Sequence, residues 1–135
     1  MEIKGDKGRM FLPSRSFQDL LTWQRAHEFV ILVYQVTKSF PAEERFGLCS
    51  QFQRAAVSIP ANIAEGYKRL GKQEKLRFLN ISQGSLEECR YYTMLSSDLS
   101  YIQPSIYQQL MIKLEETSKL LNAYIKGINN TNYTD

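Results

Sequence analysis

FGLCSQFQRAAVSIPANIAEGYKR, from Phe46 to Arg69, decides the fold. Cys49, Phe52, Ala56, Ile59, Ile63 and Gly66 recur at alternating steps of three and four, the period that keeps one side of a helix against a partner. A polar stripe, Arg54, Ser58, Asn62 and Glu65, runs at steps of four, four and three along another side. Between the stripes come Ala55, Ala56, Ala61 and Ala64, small enough for neighbouring helices to approach closely. The stretch therefore predicts a helix over 46–69 that is covered on two sides. Pro60 sits inside it, without an N–H for the carbonyl of Ala56 and with a ring that crowds that carbonyl, at a cost of about 3 kcal/mol. The pattern stays in phase from Ile59 to Ile63, so the expectation is a kink, with Ser58 or Asn62 hydrogen-bonding near the freed carbonyl. The alternative is two shorter helices meeting at Ser58.

Outward from this helix, residues 1–16 hold glycines, a proline and mixed charge, which predicts a flexible arm with a docking point at Met10-Phe11-Leu12. Ser16 followed by Asp19 is a capping signal for a first helix over about 20–39, with Leu20, Trp23, Ala26, Val30, Val33 and Thr37 on its inner face. The run from Phe29 to Tyr34 is apolar all round, which predicts cover on every side, including contact with another subunit. Phe40-Pro41-Ala42-Glu43-Glu44 ends that helix, and Gly71 caps the second. A third helix is expected from Lys72 or Gln73 to Tyr101, with a seam of Phe78, Ser82, Ser85, Cys89, Tyr92, Ser96 and Leu99 flanked by Leu79, Leu86 and Leu95. Gly84 falls in mid-helix, a cost of about 1 kcal/mol relative to alanine that close approach of another helix usually offsets. Pro104 opens a fourth helix with the cleanest pattern in the chain: Tyr107, Leu110, Leu114, Thr117, Leu121, Tyr124 and Ile128, ending near Gly127. Residues 129–135 form a polar tail. Four amphipathic segments with short connections over 17–128 predict an all-α, antiparallel up-down-up-down four-helix bundle.

The 135 residues suffice for one domain with one core. A net charge of +3 permits an acidic partner without requiring one. Cys49 and Cys89 stand far apart on apolar seams, the places of buried reduced thiols rather than metal ligands. No apolar run is long enough to span a bilayer and the N-terminus lacks an apolar signal core, so the expected location is the cytoplasm.

Catalysis finds little support. The one histidine, His27, has no nucleophile near it in sequence, and no Glu-x-x-His pair or glycine-rich phosphate loop is present. No cofactor or metal is expected, and no enzyme activity. The polar stripe has a complement on helix three in Arg77, Ser85, Glu87 and Glu88. If the two helices fold back on each other around Gly71, Arg54 meets Glu88 and Glu65 meets Arg77, two interhelical ion pairs that would fix register; the alternative is a polar groove for a ligand. Lys68, Arg69, Lys72, Lys75 and Arg77 surround the same turn and suit phosphates, or else a solvated helix end where cations answer the helix dipole.

Four segments carry a resemblance. They are F-x-D-L-x-x-W-Q-x-A-H (17–27), F-P-x-E-E-x-F-G-L-x-x-Q (40–51), R-A-A-V-S-I-P-A-N-I-A-E-G (54–66) and R-F-L-x-I-S-x-G-S-L-E-E (77–88). They resemble the four-helix-bundle family whose members include proteins encoded in intervening sequences of bacterial 23S ribosomal RNA genes, a family also labelled ribosomal-protein-like. The resemblance implies a bundle that assembles as a homopentameric ring. A related branch, the accessory variability protein of diversity-generating retroelements, is a similar pentamer with a basic nucleic-acid-binding surface. By that likeness the cluster from Lys68 to Arg77 becomes an RNA or DNA surface. The resulting expectation is a non-enzymatic, homo-oligomeric protein that binds structured RNA; the alternative is a protein–protein scaffold or accessory module for an enzyme encoded beside it.

Overall fold

A computed structural model describes residues 15–131; the expected docking point at Met10-Phe11-Leu12 and the tail beyond 131 lie outside them. Four α-helices account for most of the described residues, which contain no strand: α1 (Leu21–Thr37), α2 (Leu48–Lys68), α3 (Lys72–Asp98) and α4 (Pro104–Asn129). Single 3-10 turns, Phe17–Asp19 and Ala42–Glu44, precede α1 and α2. The Ser16 signal caps the first of these turns: its hydroxyl accepts from the Gln18 N–H, and the Asp19 carboxylate accepts from the Arg15 N–H at 2.8 Å. At the end of α3 the Tyr101 N–H returns to the Ser96 carbonyl while Ser100 adopts φ 61°, so a serine takes the left-handed position that glycine usually fills. The expected helix ends at Ser39 and Tyr101 are therefore each too late, and the expected start at Phe46 too early, because turns take over there. Gly127, expected as a stop, is inside α4.

Each helix packs on the next in sequence, and α4 returns to α1, while the backbones of α1 and α3, and of α2 and α4, stay apart across the shared core. Neighbours run in opposite directions. Between α1 and α4, Arg25 pairs with Glu116 and Glu28 with Lys113; between α3 and α4, Gln83 bonds Asn122 and Arg90 pairs with Glu115. Between α2 and α3, Ser58 accepts from Ser85, and the Ser82 hydroxyl donates to the Ile59 carbonyl at 2.8 Å.

Phe29, Phe52, Ile59, Ile63, Leu79, Leu86, Leu110, Leu114 and Leu121 are fully buried and form one core. At the end where α1 turns into α2, Phe40, Leu48 and Cys49 make a smaller cluster, closed by Tyr101, whose ring packs on Phe40 and whose hydroxyl donates to Glu44 at 2.8 Å. The α2 seam read from the sequence is all buried. Of the α3 seam, Ser82, Ser85, Cys89 and Ser96 are buried as read and the flanking Leu79 and Leu86 are buried with them, whereas Phe78 and Tyr92 are half-buried and Leu99, just past the end of the helix, is exposed. In α1, Phe29 and Thr22 are buried as well, while Trp23, and Leu20 just before the helix, are half-buried and pack against the core. The Phe29–Tyr34 run is not covered all round: Ile31 is 46% and Tyr34 42% exposed within the chain.

α2 runs unbroken through Pro60, which is buried. Asn62 does hydrogen-bond the helix backbone, but to the Ser58 carbonyl at 2.9 Å and the Ser58 hydroxyl at 3.0 Å rather than to the carbonyl of Ala56. The reason is reach, since four residues back is where a helical side chain finds a carbonyl.

Two glycines behave oppositely. A Cβ on Gly66 would stand 3.2 Å from both the Lys75 carbonyl and the Leu79 Cγ, tighter than ordinary contact, so the missing side chain favours the close approach of α2 and α3 there. A Cβ on Gly84 would meet nothing within 4 Å, so the expected close approach of another helix is not found among the described residues.

Substituting Gly66→Ala is expected to destabilise the fold by about 1–3 kcal/mol through overpacking. Gly127→Ala, where the new methyl meets open space, is expected to stabilise it by up to about 1 kcal/mol. Urea titrations of the two variants check both signs. The thiols give a second readout. Burial pushes the Cys89 thiol far above the usual value, and burial followed by the nearby Glu44 charge raises Cys49. A thiol-specific reagent at neutral pH should label neither until the chain is unfolded.

Candidate nucleic-acid interface at the α2–α3 turn

The five cations singled out from the sequence come together where α2 ends and α3 begins, but they do different things. Lys75 is buried, and its ammonium donates to the Tyr67 carbonyl at 2.8 Å and the Gly66 carbonyl at 3.3 Å. Those are carbonyls of the last turn of α2, which have no helical partner, so Lys75 caps that helix from the side. Its ammonium also lies 5.8 Å from the centre of the Tyr67 ring. Burial lowers its pKa from the usual lysine value. As a surface contact for phosphate Lys75 is therefore corrected: the first turn of α3 carries it inward, and its head group is held by the backbone. Lys72 is half-buried and donates to the Asn129 carbonyl at 2.9 Å, which ties the start of α3 to the end of α4.

Lys68, Arg69 and Arg77 remain exposed. The two guanidiniums stack on the Phe78 ring, at 4.7 Å for Arg69 and 4.6 Å for Arg77. Arg69 also pairs with Glu65 at 2.7 Å, and Arg77 with Glu74 at 3.3 Å. The expected Glu65–Arg77 bridge is thus replaced by two pairs within single helices, where partners three or four residues apart are already neighbours. The expected Arg54–Glu88 bridge is absent as well. Both side chains are exposed, and Glu88 instead accepts from the Tyr92 hydroxyl at 3.2 Å. The side-chain bonds that do cross between α2 and α3 come from smaller polar groups in the seam, Ser58, Ser82 and Ser85. Periodicity did reveal that seam; what it lacked was that a serine hydroxyl reaches a facing carbonyl, whereas a long charged side chain swings out to water.

Beside the turn, Arg15, Ser16, Phe17, Ala64, Glu65, Tyr67 and Lys68 line an open cavity of about 410 Å³. Arg15 and Lys68 bring positive charge to its rim and Glu65 offsets part of it. Elsewhere His27 stacks flat on Trp23 with ring centres 5.0 Å apart. No group of three or more His, Cys, Asp or Glu among the described residues could hold a metal ion, and no described helix is long and apolar enough to cross a membrane.

The sequence pattern of the 23S rRNA-intervening sequence protein family matches residues 18–123. The chain belongs to that family. Among solved structures it is similar to a protein of unknown function from the S23 ribosomal protein family of Bacteroides thetaiotaomicron, with 25% identity and a TM-score of 0.73, over 78% of this chain and 99% of the other. No curated protein matches. The family segment includes α2, α3 and the turn between them.

Neutralising the two classes of cation should separate them. Lys75→Met leaves carbonyls of α2 without their donor and should cost about 1–3 kcal/mol. Lys68→Gln, at an exposed side chain, should change stability by no more than about 0.5 kcal/mol. Denaturant midpoints of the two variants check the difference.

Proposed function

We propose that this member of the family is a non-enzymatic, homo-oligomeric binder of structured RNA, with Lys68, Arg69 and Arg77 facing the phosphates and Lys72 and Lys75 holding the turn that presents them. The observation that carries the reading is the exposure of these three cations around one turn, inside the segment that defines membership of a family named for ribosomal RNA genes. Guanidiniums stacked on Phe78 are held in place at the surface, their N–H groups shared with the exposed carboxylates of Glu65 and Glu74. The ion pairs with Glu65 and Glu74 are exposed and therefore weak, so a phosphate can displace either carboxylate at little cost. The closed cycle of antiparallel neighbours supports an up-down-up-down four-helix bundle as the subunit, and a homopentameric ring repeats the cationic turn so that weak contacts add by avidity. The protein would work in the cytoplasm, without a cofactor.

A second reading, a scaffold for a neighbouring enzyme, is favoured by one observation. Glu65 and Glu74 reduce the net positive charge of the turn, which suits a mixed-charge protein surface better than a polyanion. Pull-down of tagged protein with and without nuclease separates the readings.

Binding of 23S ribosomal RNA fragments should be measured at two salt concentrations, with the protein intact and with Lys68, Arg69 and Arg77 changed to glutamine. The expected result is affinity that falls with salt, and a slope of log affinity against log salt that flattens by about 0.7–0.9 for each cation removed that contacts phosphate. Absence of binding at low salt, or affinity unchanged in the triple variant, would remove the reading.

A further inference from the structure

The open cavity of about 410 Å³ beside the cationic turn is not used by the phosphate contacts. It is the size of a small-molecule cleft and too small to admit a duplex. Two aromatic residues from different elements line it. Phe17 stands on the 3-10 turn that Ser16 caps, and its ring meets Trp23 edge-on with centres 5.1 Å apart. Trp23 in turn stacks on His27. Tyr67 is in the last turn of α2, where the Lys75 ammonium bonds its carbonyl and lies 5.8 Å from its ring centre. Both residues are half-buried, so each is held by a neighbour while part of its surface stays open. Ala64 gives the lining a methyl group and nothing longer, which leaves depth. Arg15 and Lys68 are exposed cations of the same lining, and Glu65 adds a carboxylate that pairs with Arg69 at 2.7 Å.

We propose that this cavity receives one unpaired base of a structured RNA, stacked against Phe17 and Tyr67, with the flanking phosphates on Lys68 and Arg15. Every base has a flat apolar face that suits an aromatic ring, and its backbone carries the negative charge that the two cations answer. Paired RNA keeps its bases stacked within the helix, whereas a bulge or loop turns one outward, so the cavity selects an unpaired nucleotide. Glu65 sets which base. A carboxylate only accepts, so it suits the exocyclic amine of cytosine, adenine or guanine. Uracil has no amine and flanks its one edge N–H with carbonyls, which repel a carboxylate. Once a phosphate takes Arg69, the Glu65 carboxylate is released toward the base. The acid that lowers the net charge of the turn is then part of the recognition. The inference rests on the RNA-binding reading above and adds to it which part of the RNA is recognised.

Binding of the full chain to RNA hairpins of one stem sequence tests it: one fully paired, one with a single bulged cytidine, one with a bulged uridine and one whose bulge is abasic. The cytidine hairpin is expected to bind about tenfold or more tighter than the paired and abasic ones, the scale of a base stacked on aromatic rings, with uridine between. Glu65→Gln, at an exposed side chain, should abolish the difference between cytidine and uridine, since an amide both donates and accepts. Ala64→Trp fills the cavity and should bring the cytidine hairpin down to the level of the abasic one, with the salt dependence retained. Equal affinity of the wild type for the cytidine and abasic hairpins overturns the base-binding cavity and leaves the phosphate reading standing. A preference that survives the variant meant to remove it puts the base elsewhere and likewise overturns the cavity. Absence of binding to every hairpin at low salt overturns the RNA-binding reading itself.

Discussion

The contact between α2 and α3 is the constraint on which the rest of the molecule depends. At one end it is close enough that a methyl group on Gly66 would crowd the Lys75 carbonyl and Leu79 at 3.2 Å. Farther along it is bridged by Ser82 to the Ile59 carbonyl and by Ser85 to Ser58. Small side chains bring two backbones together, and each hydroxyl then finds a partner that water would otherwise have supplied, so the approach leaves these serines satisfied. The buried leucines of α3 are aimed by this contact: with the serines held against α2, Leu79 and Leu86 turn into the space shared with α1 and α4.

The same closeness decides what the cations at the turn do. A helix that ends inside a packed region leaves carbonyls that need donors. Lys75, arriving on the first turn of the next helix, supplies them for α2, and Lys72 does so for α4. Lys68, Arg69 and Arg77 sit on the outer side of the turn and keep their charge in water. A cluster that is continuous in the sequence is thus divided by depth into a structural pair and an accessible set, and the accessible set alone bears on an anionic partner.

Much of the architecture was legible beforehand. The phase of the apolar residues in α2 and α4 placed the core, and Pro41, Gly71 and Pro104 placed the connections within a few residues. Pro60 was read as a kink rather than a break because Ile59 and Ile63 kept their phase, and the helix does run on through it. The long ionic partners were misread for one reason: a charged side chain on a helix has candidate partners within its own helix, as Arg69 has Glu65 and Arg77 has Glu74, and these require no second element to be placed. Gly84 was misread because a glycine inside a helix need not mark a packed neighbour: a Cβ there meets nothing within 4 Å among the described residues.

What the sequence determined by itself was the set of helices and the buried side of α2 and α4, because periodicity and turn residues act over a few neighbouring positions, and the family, because four motif segments carry it. What only the tertiary structure decided was the use of each polar group at the seams. Whether Lys75 meets solvent or a carbonyl, and whether Ser82 binds its own helix or the facing one, depends on distances of a few ångströms between elements far apart in the chain. No pattern along the chain encodes such distances, since they are set by how all four helices pack at once.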